Sequence, residues 1–213
     1  MNGRVVGVFG GTFDPFHGAH LRMARAFVKE VGLTELKLIP AGQPYHRDND
    51  STASAADRLE MVRLGVANDA EMHADDREIR RAGRSYTIDT LEEVRAEIGP
   101  DAPLWFLVGS DSLARLHTWK RWSELFDLAH LAVAMRPGFD AERLPQEVQT
   151  AWHDRLALQA TTTRPSGTIL RLALEPLDLS ASNIRDLLTR DDDVSRLVPP
   201  AIAAYILKHG LYR

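Results

Sequence analysis

Short apolar runs alternate with stretches of helical periodicity along this sequence, and that alternation restricts the fold more than any other feature. The apolar runs predict strands at residues 5–9, 36–39, 104–108, 131–135 and 169–174. Apolar positions three and four residues apart predict helices at residues 21–31, 55–66, 87–98, 183–188 and 200–209. Because strands alternate with helices, we expect an α/β fold with a doubly wound, mostly parallel sheet and helices on both faces. Residues 139–167 show the weakest pattern and are interpreted as a variable excursion within a single domain over residues 1–213.

Composition excludes several classes of protein. Hydrophobic residues make up 44% of the 213, which is enough to bury a sizeable core and rules out a disordered chain. There is no cysteine, so disulfides, thiolate metal sites and cysteine nucleophiles are excluded. No apolar run approaches the roughly 18 residues of a membrane span, and the apolar residues 5–9 are too few for a signal peptide, so we expect a cytoplasmic protein. The net charge of −4 argues against nucleic acid or an anionic membrane as a nonspecific partner, and any anionic ligand must meet a local concentration of positive charge.

Two glycines and two histidines follow the first predicted strand. Gly10 and Gly11 let the backbone approach a ligand closely, and His17 and His20 lie three residues apart at the start of the next predicted helix. The free N–H groups of a helix N-terminus suit phosphate, and imidazoles there add donors for anionic oxygens. A glycine turn with two surface histidines is the structural alternative, but histidines at helical spacing directly after the glycines favour a phosphate site. The motifs of dinucleotide oxidoreductases, P-loop NTPases and His-Glu-x-x-His zinc enzymes are absent from the sequence.

The glycines and histidines belong to a series of short motifs along the chain. These are GGTFDP (10–15), HGAH (17–20), QPYHR (43–47), SYTIDTL (85–91), GSD (109–111), HTWKRW (117–122) and LSASNIR (179–185). Together they resemble the nucleotidyltransferase superfamily with a His-x-Gly-His signature, and they are most similar to the bacterial nicotinate-nucleotide adenylyltransferases. The resemblance covers nearly the whole chain and implies a Rossmann-like sheet. Three positions depart from the family's pattern. Ala19 replaces a glycine, Tyr45 a proline and Arg47 a lysine, and Arg47 keeps the charge and gains bidentate reach to phosphate.

The resemblance implies which residues contact ATP. It assigns ATP binding to Gly10, Gly11, His17, His20, Gly109, Asp111, Ser182 and Arg185. His17, His20 and Arg185 are the implied catalytic residues, with His20 stabilising the transition state at the α-phosphate. Ser182 is also a good N-cap for the following helix, and that structural role is compatible with a phosphate site at the same helix N-terminus.

A second set of residues is implied to bind nicotinic acid mononucleotide. It consists of Thr12, Phe13, Arg47, Tyr86, Thr87, Trp119 and Lys120. The resemblance implies that Trp119 stacks on the nicotinate ring, and that main-chain N–H groups of Thr87 and of Trp119–Lys120 bind the nicotinate carboxylate. Trp122, which is followed by apolar residues at helical spacing, is expected to pack in the core.

The implied reaction is attack of the mononucleotide phosphate on the α-phosphorus of ATP, giving deamido-NAD and pyrophosphate. This nucleophile is already an anion, so the protein needs to align the reactants and neutralise charge rather than supply a strong general base. Mg²⁺ is expected as a cofactor bound mainly through the substrate phosphates, with no dedicated protein metal site. The alternatives are a related adenylyltransferase acting on nicotinamide mononucleotide or phosphopantetheine, and a non-catalytic nucleotide-binding protein. The expected assembly is a monomer or a small homo-oligomer.

Overall fold

A computed structural model describes residues 3–42, 53–161, 163–175 and 179–213. The strands of these residues, β1 to β7, are Val6–Gly11, Glu35–Pro40, Met72–Ala74, Leu104–Gly109, His130–Ala134, Leu156–Ala157 and Ile169–Arg171. Their α-helices, α1 to α9, are Gly18–Val31, Ala55–Val66, Arg77–Arg80, Thr87–Ile98, Ser110–Leu113, Leu125–Leu128, Gln146–Arg155, Ala181–Leu188 and Pro200–His209. None of these helices is long and apolar enough to cross a membrane.

The described strands form one sheet in the order β3-β2-β1-β4-β5-β7-β6, and each neighbouring pair is parallel. The chain order reverses between β1 and β4, which pair directly with Val8 opposite Phe106. The predicted α/β fold with a parallel sheet is therefore confirmed. Ligands of open parallel sheets bind beyond the carboxyl ends of the strands at such a reversal, so β1 and β4 mark the expected position of a site.

Side chains of the central strands alternate between two hydrophobic clusters, because successive residues of a strand point to opposite faces of the sheet. In β1, Val6 and Val8 belong to one cluster and Phe9 to the other. Residues of α4, α6 and α7 complete the first cluster, and residues of α1, α2, α8 and α9 complete the second. Helices on both faces are thus confirmed, and burial on both faces explains why the central strands are continuous apolar runs.

The sequence pattern missed the shortest elements and misplaced some boundaries. β3 and β6 have three and two residues, too few to show a period, and they lie at the two edges of the sheet. Residues 139–167, interpreted as an unpatterned excursion, contain α7 and β6 and so extend the sheet. Helix α1 begins at Gly18 rather than at residue 21, because His17 is its N-cap residue. Strand β7 ends at Arg171 rather than at residue 174.

Arg95, near the end of α4, binds the segments that lead into several strands, at the N-terminal ends of those strands. Its guanidinium donates to the carbonyl oxygens of Ala102 at 2.6 Å, Leu128 at 2.6 Å and Pro165 at 2.9 Å. These carbonyls come shortly before β4, β5 and β7 respectively. One side chain therefore joins the segments that lead into three parallel strands, at the end of the sheet opposite the expected site.

Candidate active site

Two adjoining cavities open beyond the carboxyl ends of the central strands. The histidine cavity, of about 580 Å³, is lined by His17 and His20 among others, and the tyrosine cavity, of about 320 Å³, is lined by Tyr86. Gly10 and Trp119 line both cavities. The two cavities therefore meet at the end of β1, where the order of the strands reverses.

The residues predicted to bind ATP and those predicted to bind the mononucleotide line different cavities, largely as the resemblance implies. The histidine cavity is lined by the predicted ATP residues Gly10, His17, His20, Gly109, Asp111, Ser182 and Arg185. The tyrosine cavity is lined by the predicted substrate residues Thr12, Tyr86, Thr87, Trp119 and Lys120, and also by Gly11, which was predicted to contact ATP. Arg47 lies outside the described residues.

Gly10 and Gly11 are the last two residues of β1, and they are glycines for different reasons. A Cβ on Gly10 would meet nothing nearer than the Phe106 ring at 3.7 Å, so the space beside it is open to a ligand. A Cβ on Gly11 would lie 2.9 Å from the ring of Phe13. That ring is buried and lines neither cavity, which differs from the direct substrate contact implied for Phe13. The Phe13 ring instead packs beside Gly11 and against the ring of His20.

His17 and His20 stack on each other at the N-terminus of α1. Their ring centroids are 3.7 Å apart and their planes are inclined by 21°. The main-chain N–H of His17 donates to Nδ1 of His20 at 3.3 Å, which leaves Nε2 as the protonated nitrogen of a neutral His20. The rings of Phe13 and Phe16 pack against His20, with centroid distances of 5.0 and 5.5 Å. The orientation of the His20 ring is therefore fixed by its neighbours.

Both imidazoles are neutral near pH 7. Burial, and then the positive charge of Arg136, lower the pKa of His17 from 6.5 to about 4. Burial also lowers the pKa of His20 well below 6.5, and the charges of His17 and Arg136 act in the same direction. The two rings therefore offer N–H donors to a ligand rather than fixed positive charge.

The positive charge of the histidine cavity comes from arginines. Among the described residues, its charged lining consists of Arg22, Arg136 and Arg185 with one carboxylate, Asp111. Nε of Arg136 lies 2.6 Å from Asp111, and its main-chain N–H donates to the Ser110 hydroxyl at 3.0 Å. This excess of positive charge is the local concentration expected for an anionic ligand on a chain of net charge −4. From the sequence, Arg136 is expected at the crevice because it directly follows a predicted strand, but it was not among the predicted site residues.

The N-terminus of α8 lies on the same cavity. The hydroxyl of Ser180 accepts from the N–H of Asn183 at 3.2 Å, so Ser180 is the N-cap. The prediction of Ser182 as the N-cap is wrong, because the helix starts two residues before residue 183 and Ser182 lies in its first turn. Arg185 follows one turn into the helix, and its Nη1 donates to the main-chain carbonyl of Asp14 at 2.8 Å. This bond ties α8 to the loop after β1.

Aromatic rings and a lysine line the tyrosine cavity. The half-buried ring of Trp119 contacts Phe106 edge to face, with centroids 6.2 Å apart. Nζ of Lys120 lies 4.6 Å from the centroid of the Tyr86 ring and 3.0 Å from Oδ1 of Asp89. Asp89, in the first turn of α4, thus holds the ammonium group over the aromatic ring.

The main-chain donors of the tyrosine cavity differ in part from those that the resemblance implies. The N–H of Trp119 donates to the carbonyl of Leu116 at 2.9 Å, which closes a 3₁₀ turn and removes it as a donor to a ligand. Thr87 is the first residue of α4, where N–H groups have no partner within the helix, and it remains a candidate. Trp122 packs on the buried Phe126, as expected, but its own side chain is half-buried.

Two further residues of the tyrosine cavity were not found from the sequence. Glu78 is buried and accepts from the hydroxyl of Thr90 at 2.7 Å, and burial raises the pKa of its carboxyl group. Arg115 is exposed between α5 and the following turn. Neither belongs to a recognisable motif, and the four-residue helix α3 that carries Glu78 is too short to show a period.

Comparisons with known proteins agree with this geometry. Residues 8–187 match the model of the cytidylyltransferase-like family. A curated protein of Chromobacterium violaceum, named nicotinate-nucleotide adenylyltransferase, is 59% identical over 213 residues, which is 100% of both chains. The chain belongs to the nicotinate-nucleotide adenylyltransferase family. A relative with the same name from Laribacter hongkongensis is 49% identical over 208 residues, covering 98% of this chain and 94% of that protein. The family recognised from the motifs is confirmed, and the chain is a nucleotidyltransferase.

Solved structures show the same fold. The structure of Plasmodium falciparum nicotinic acid mononucleotide adenylyltransferase complexed with NaAD matches with a TM-score of 0.74 at 19% identity, covering 98% of this chain and 97% of that one. The structure of the same protein complexed with APC matches with a TM-score of 0.73 at 18% identity and the same coverage. This likeness confirms the Rossmann-like sheet predicted from the sequence.

Proposed function

We propose that this chain transfers the adenylyl group of ATP to the 5′-phosphate of nicotinic acid mononucleotide, forming deamido-NAD and pyrophosphate in NAD biosynthesis. One observation carries the proposal. An arginine-lined cavity at two helix N-termini adjoins a cavity lined by aromatic rings, and Gly10 and Trp119 are common to both. Two nucleotides bound side by side need such a pair of cavities, with their phosphates meeting at the shared boundary.

The histidine cavity is assigned to ATP. The N-termini of α1 and α8 place main-chain N–H groups and partial positive charge at its lining. Arg185 and Ser182 would contact the β- and γ-phosphates, and His17 and His20 would donate to oxygens of the α-phosphate. Asp111, which lies at the carboxyl end of β4, would accept from ribose hydroxyls. The arginines then supply the charge, and the histidines supply directed donors.

The chemistry requires no general base. A phosphate oxygen of the mononucleotide forms a bond to the α-phosphorus, and the bond from that phosphorus to the pyrophosphate oxygen breaks. No proton has to move, so two neutral imidazoles suit the step as stabilisers of developing charge. Among the described residues no three His, Asp or Glu side chains are grouped to hold a metal, and the nearby Asp111 is paired with Arg136. Such a lining is compatible with a Mg²⁺ ion held by substrate phosphates and water. The ion would neutralise charge on the leaving pyrophosphate.

The tyrosine cavity is assigned to the pyridine nucleotide. Trp119 offers a face for stacking on the nicotinate ring, and Thr87 offers an unpaired first-turn N–H to its carboxylate. Lys120, held near Tyr86, adds positive charge to the same cavity. A carboxylate needs only donors, whereas the neutral amide of nicotinamide mononucleotide needs an acceptor as well. This difference favours the acid over the amide as substrate.

The test is pyrophosphate release from the purified protein with ATP and Mg²⁺. Nicotinic acid mononucleotide, nicotinamide mononucleotide and phosphopantetheine are compared side by side. A strong preference for the first is the expected result. Preference for either of the others would keep the assignment of the histidine cavity and overturn that of the tyrosine cavity. No release with any of them, from protein that still binds ATP, would refute the proposed reaction.

His20→Ala tests the chemical role of the histidine cavity. Because donors aimed at developing charge act mainly in the transition state, we expect turnover to fall about 100-fold or more, with ATP binding less affected. His73→Ala is the matched control, since His73 is exposed on β3 and pairs with Glu35 away from both cavities. Near-normal turnover in a folded His20→Ala protein would reject this role.

A further inference from the structure

A buried polar cluster lies beneath the loop that follows β1. The side chain of Asp14 is at its centre, and the residue is only 1% exposed. Oδ1 of Asp14 accepts from the hydroxyl of Tyr212 at 2.7 Å and from the N–H of Ala53 at 3.3 Å. Tyr212 is 8% exposed and is the third residue after α9, so this contact joins two segments nearly 200 residues apart in sequence. A buried carboxylate requires such donors, because an unpaired one is strongly destabilising.

Arg58 of α2 completes the cluster on the other side of the loop. It is 2% exposed, and its Nη1 donates to the carbonyl of Thr12 at 2.8 Å. Burial lowers the pKa of its guanidinium group, and the nearby charge of Asp14 opposes that effect. Thr12 lines the tyrosine cavity, so Arg58 holds the part of the loop that faces the pyridine nucleotide.

The cluster reaches the histidine cavity through the backbone of Asp14. Nη1 of Arg185 donates to the main-chain carbonyl of Asp14 at 2.8 Å, and Arg185 lines that cavity. The direction of the Arg185 guanidinium therefore depends on where the Asp14 carbonyl lies. The position of that carbonyl depends in turn on the hydrogen bonds that hold the Asp14 side chain.

We propose that Tyr212 is a positioning residue for Arg185. Its hydroxyl fixes the carboxylate of Asp14, and the Asp14 carbonyl fixes the guanidinium that binds ATP phosphates. This inference rests on the proposed function, because that function assigns Arg185 to ATP. The hydrogen bond from Arg58 to the carbonyl of Thr12 does not involve the Tyr212 hydroxyl, so a defect at Tyr212 affects ATP more than nicotinic acid mononucleotide.

Tyr212→Phe removes the hydroxyl and keeps the ring, and the chain offers a matched control. The hydroxyl of Tyr205 in α9 donates to Oδ1 of Asp57 in the first turn of α2 at 2.9 Å. Tyr205→Phe thus also removes one tyrosine–aspartate hydrogen bond between the C-terminal region and its neighbours. Neither Tyr205 nor Asp57 lines either cavity.

We expect kcat/KM for ATP to fall about tenfold in Tyr212→Phe, which is the size of effect typical of losing one hydrogen bond to a charged group. The KM for ATP should rise, and the KM for nicotinic acid mononucleotide should stay within about twofold. Tyr205→Phe should keep both values. A purely structural Tyr212 would lower Tm and leave the KM for ATP unchanged, and that result would overturn the inference. An equal rise in both KM values would overturn it too.

If Tyr212→Phe does not fold, the wild-type protein still tests the inference. Coupling between sites is reciprocal, so ATP bound at Arg185 must stabilise the Tyr212–Asp14 contact. Deuterium exchange of amides 210–213 should then slow when a non-hydrolysable ATP analogue binds, but not in the Arg185→Ala variant. Unchanged exchange in the wild type would overturn the inference. A wild-type protein that releases no pyrophosphate overturns the proposed function and this inference together, whereas an active wild type with an unaltered Tyr212→Phe overturns the inference alone.

Discussion

The buried side chain of His17 makes folding stability depend on pH in a defined direction. The pKa of His17 is lowered in the folded protein, from 6.5 to about 4, so the unfolded chain takes up a proton first as the pH falls. The stabilising contribution is therefore complete above about pH 6.5 and is lost as the pH falls towards the folded pKa. His17→Asn removes this titration and keeps a side chain suited to the N-cap position of α1.

The size of the effect follows from the two pKa values. The interval from 6.5 to about 4 corresponds to roughly 3 kcal/mol in total, at about 1.36 kcal/mol per pH unit. Of this, about 2 kcal/mol is lost by pH 5, because the unfolded histidine is then almost fully protonated and the folded one is not. Carboxyl groups such as Glu35, whose pKa is lowered to about 2, titrate below this interval.

Urea unfolding followed by tryptophan fluorescence at pH 8, 7, 6 and 5 measures the difference. We expect the wild type to lose about 2 kcal/mol more unfolding free energy than His17→Asn between pH 8 and pH 5. His130 is also buried and has a lowered pKa, but it is present in both proteins and cancels in the comparison. His20 is present in both as well, and because His17 helps to lower its pKa, the measured difference reports His17 together with its effect on His20. Equal losses in the two proteins would refute the argument, since they would mean that folding does not disfavour the charged form of His17.

Two further substitutions separate chemistry from stability. Trp119→Ala should lower kcat/KM for nicotinic acid mononucleotide about tenfold through loss of ring stacking, while Trp122→Phe should stay near the wild type. Steady-state kinetics check this, and equal effects of the two substitutions would contradict the assignment of Trp119. Arg95→Met should lower the unfolding free energy by about 3 kcal/mol, because the carbonyl groups of Ala102, Leu128 and Pro165 lose a donor, as do those of Gly99 and Pro100. It should leave kcat at 25 °C unchanged. Urea unfolding and pyrophosphate release measure the two quantities, and an unchanged unfolding midpoint would count against the reasoning.

The central part of the fold, and many of the residues that line the two cavities, could be predicted from the sequence. Strands such as Val6–Gly11 and Leu104–Gly109 are buried on both faces, so their composition alone identifies them. His17 and His20 could be paired because helical spacing fixes their separation once a helix starts there. These predictions depend on local regularities that residues near in sequence share.

What could not be predicted depends on backbone geometry or on long-range contacts. Ser180 and Ser182 are both suitable N-cap residues, and only the position of the first helical turn selects Ser180. The N–H of Trp119 was implied as a ligand donor, but the turn in which it lies uses it internally. The position of Arg136 after a strand was visible in the sequence, but its effect on the pKa values of His17 and His20 was not, because those residues lie more than 100 positions away. The contact of Tyr212 with Asp14 is also distant in sequence and leaves no local pattern.

The location of Arg95 has a consequence for how this molecule tolerates change. The side chain joins the beginnings of three strands, whereas both cavities lie where the strands end. A residue that contributes to the free energy of unfolding is thus spatially separate from the residues that line the two cavities. Substitutions that reshape a cavity usually lower the free energy of unfolding. The hydrogen bonds of Arg95 at the opposite end of the strands stabilise the fold and so let it tolerate such a loss. Such a division lets substrate preference drift while the scaffold persists.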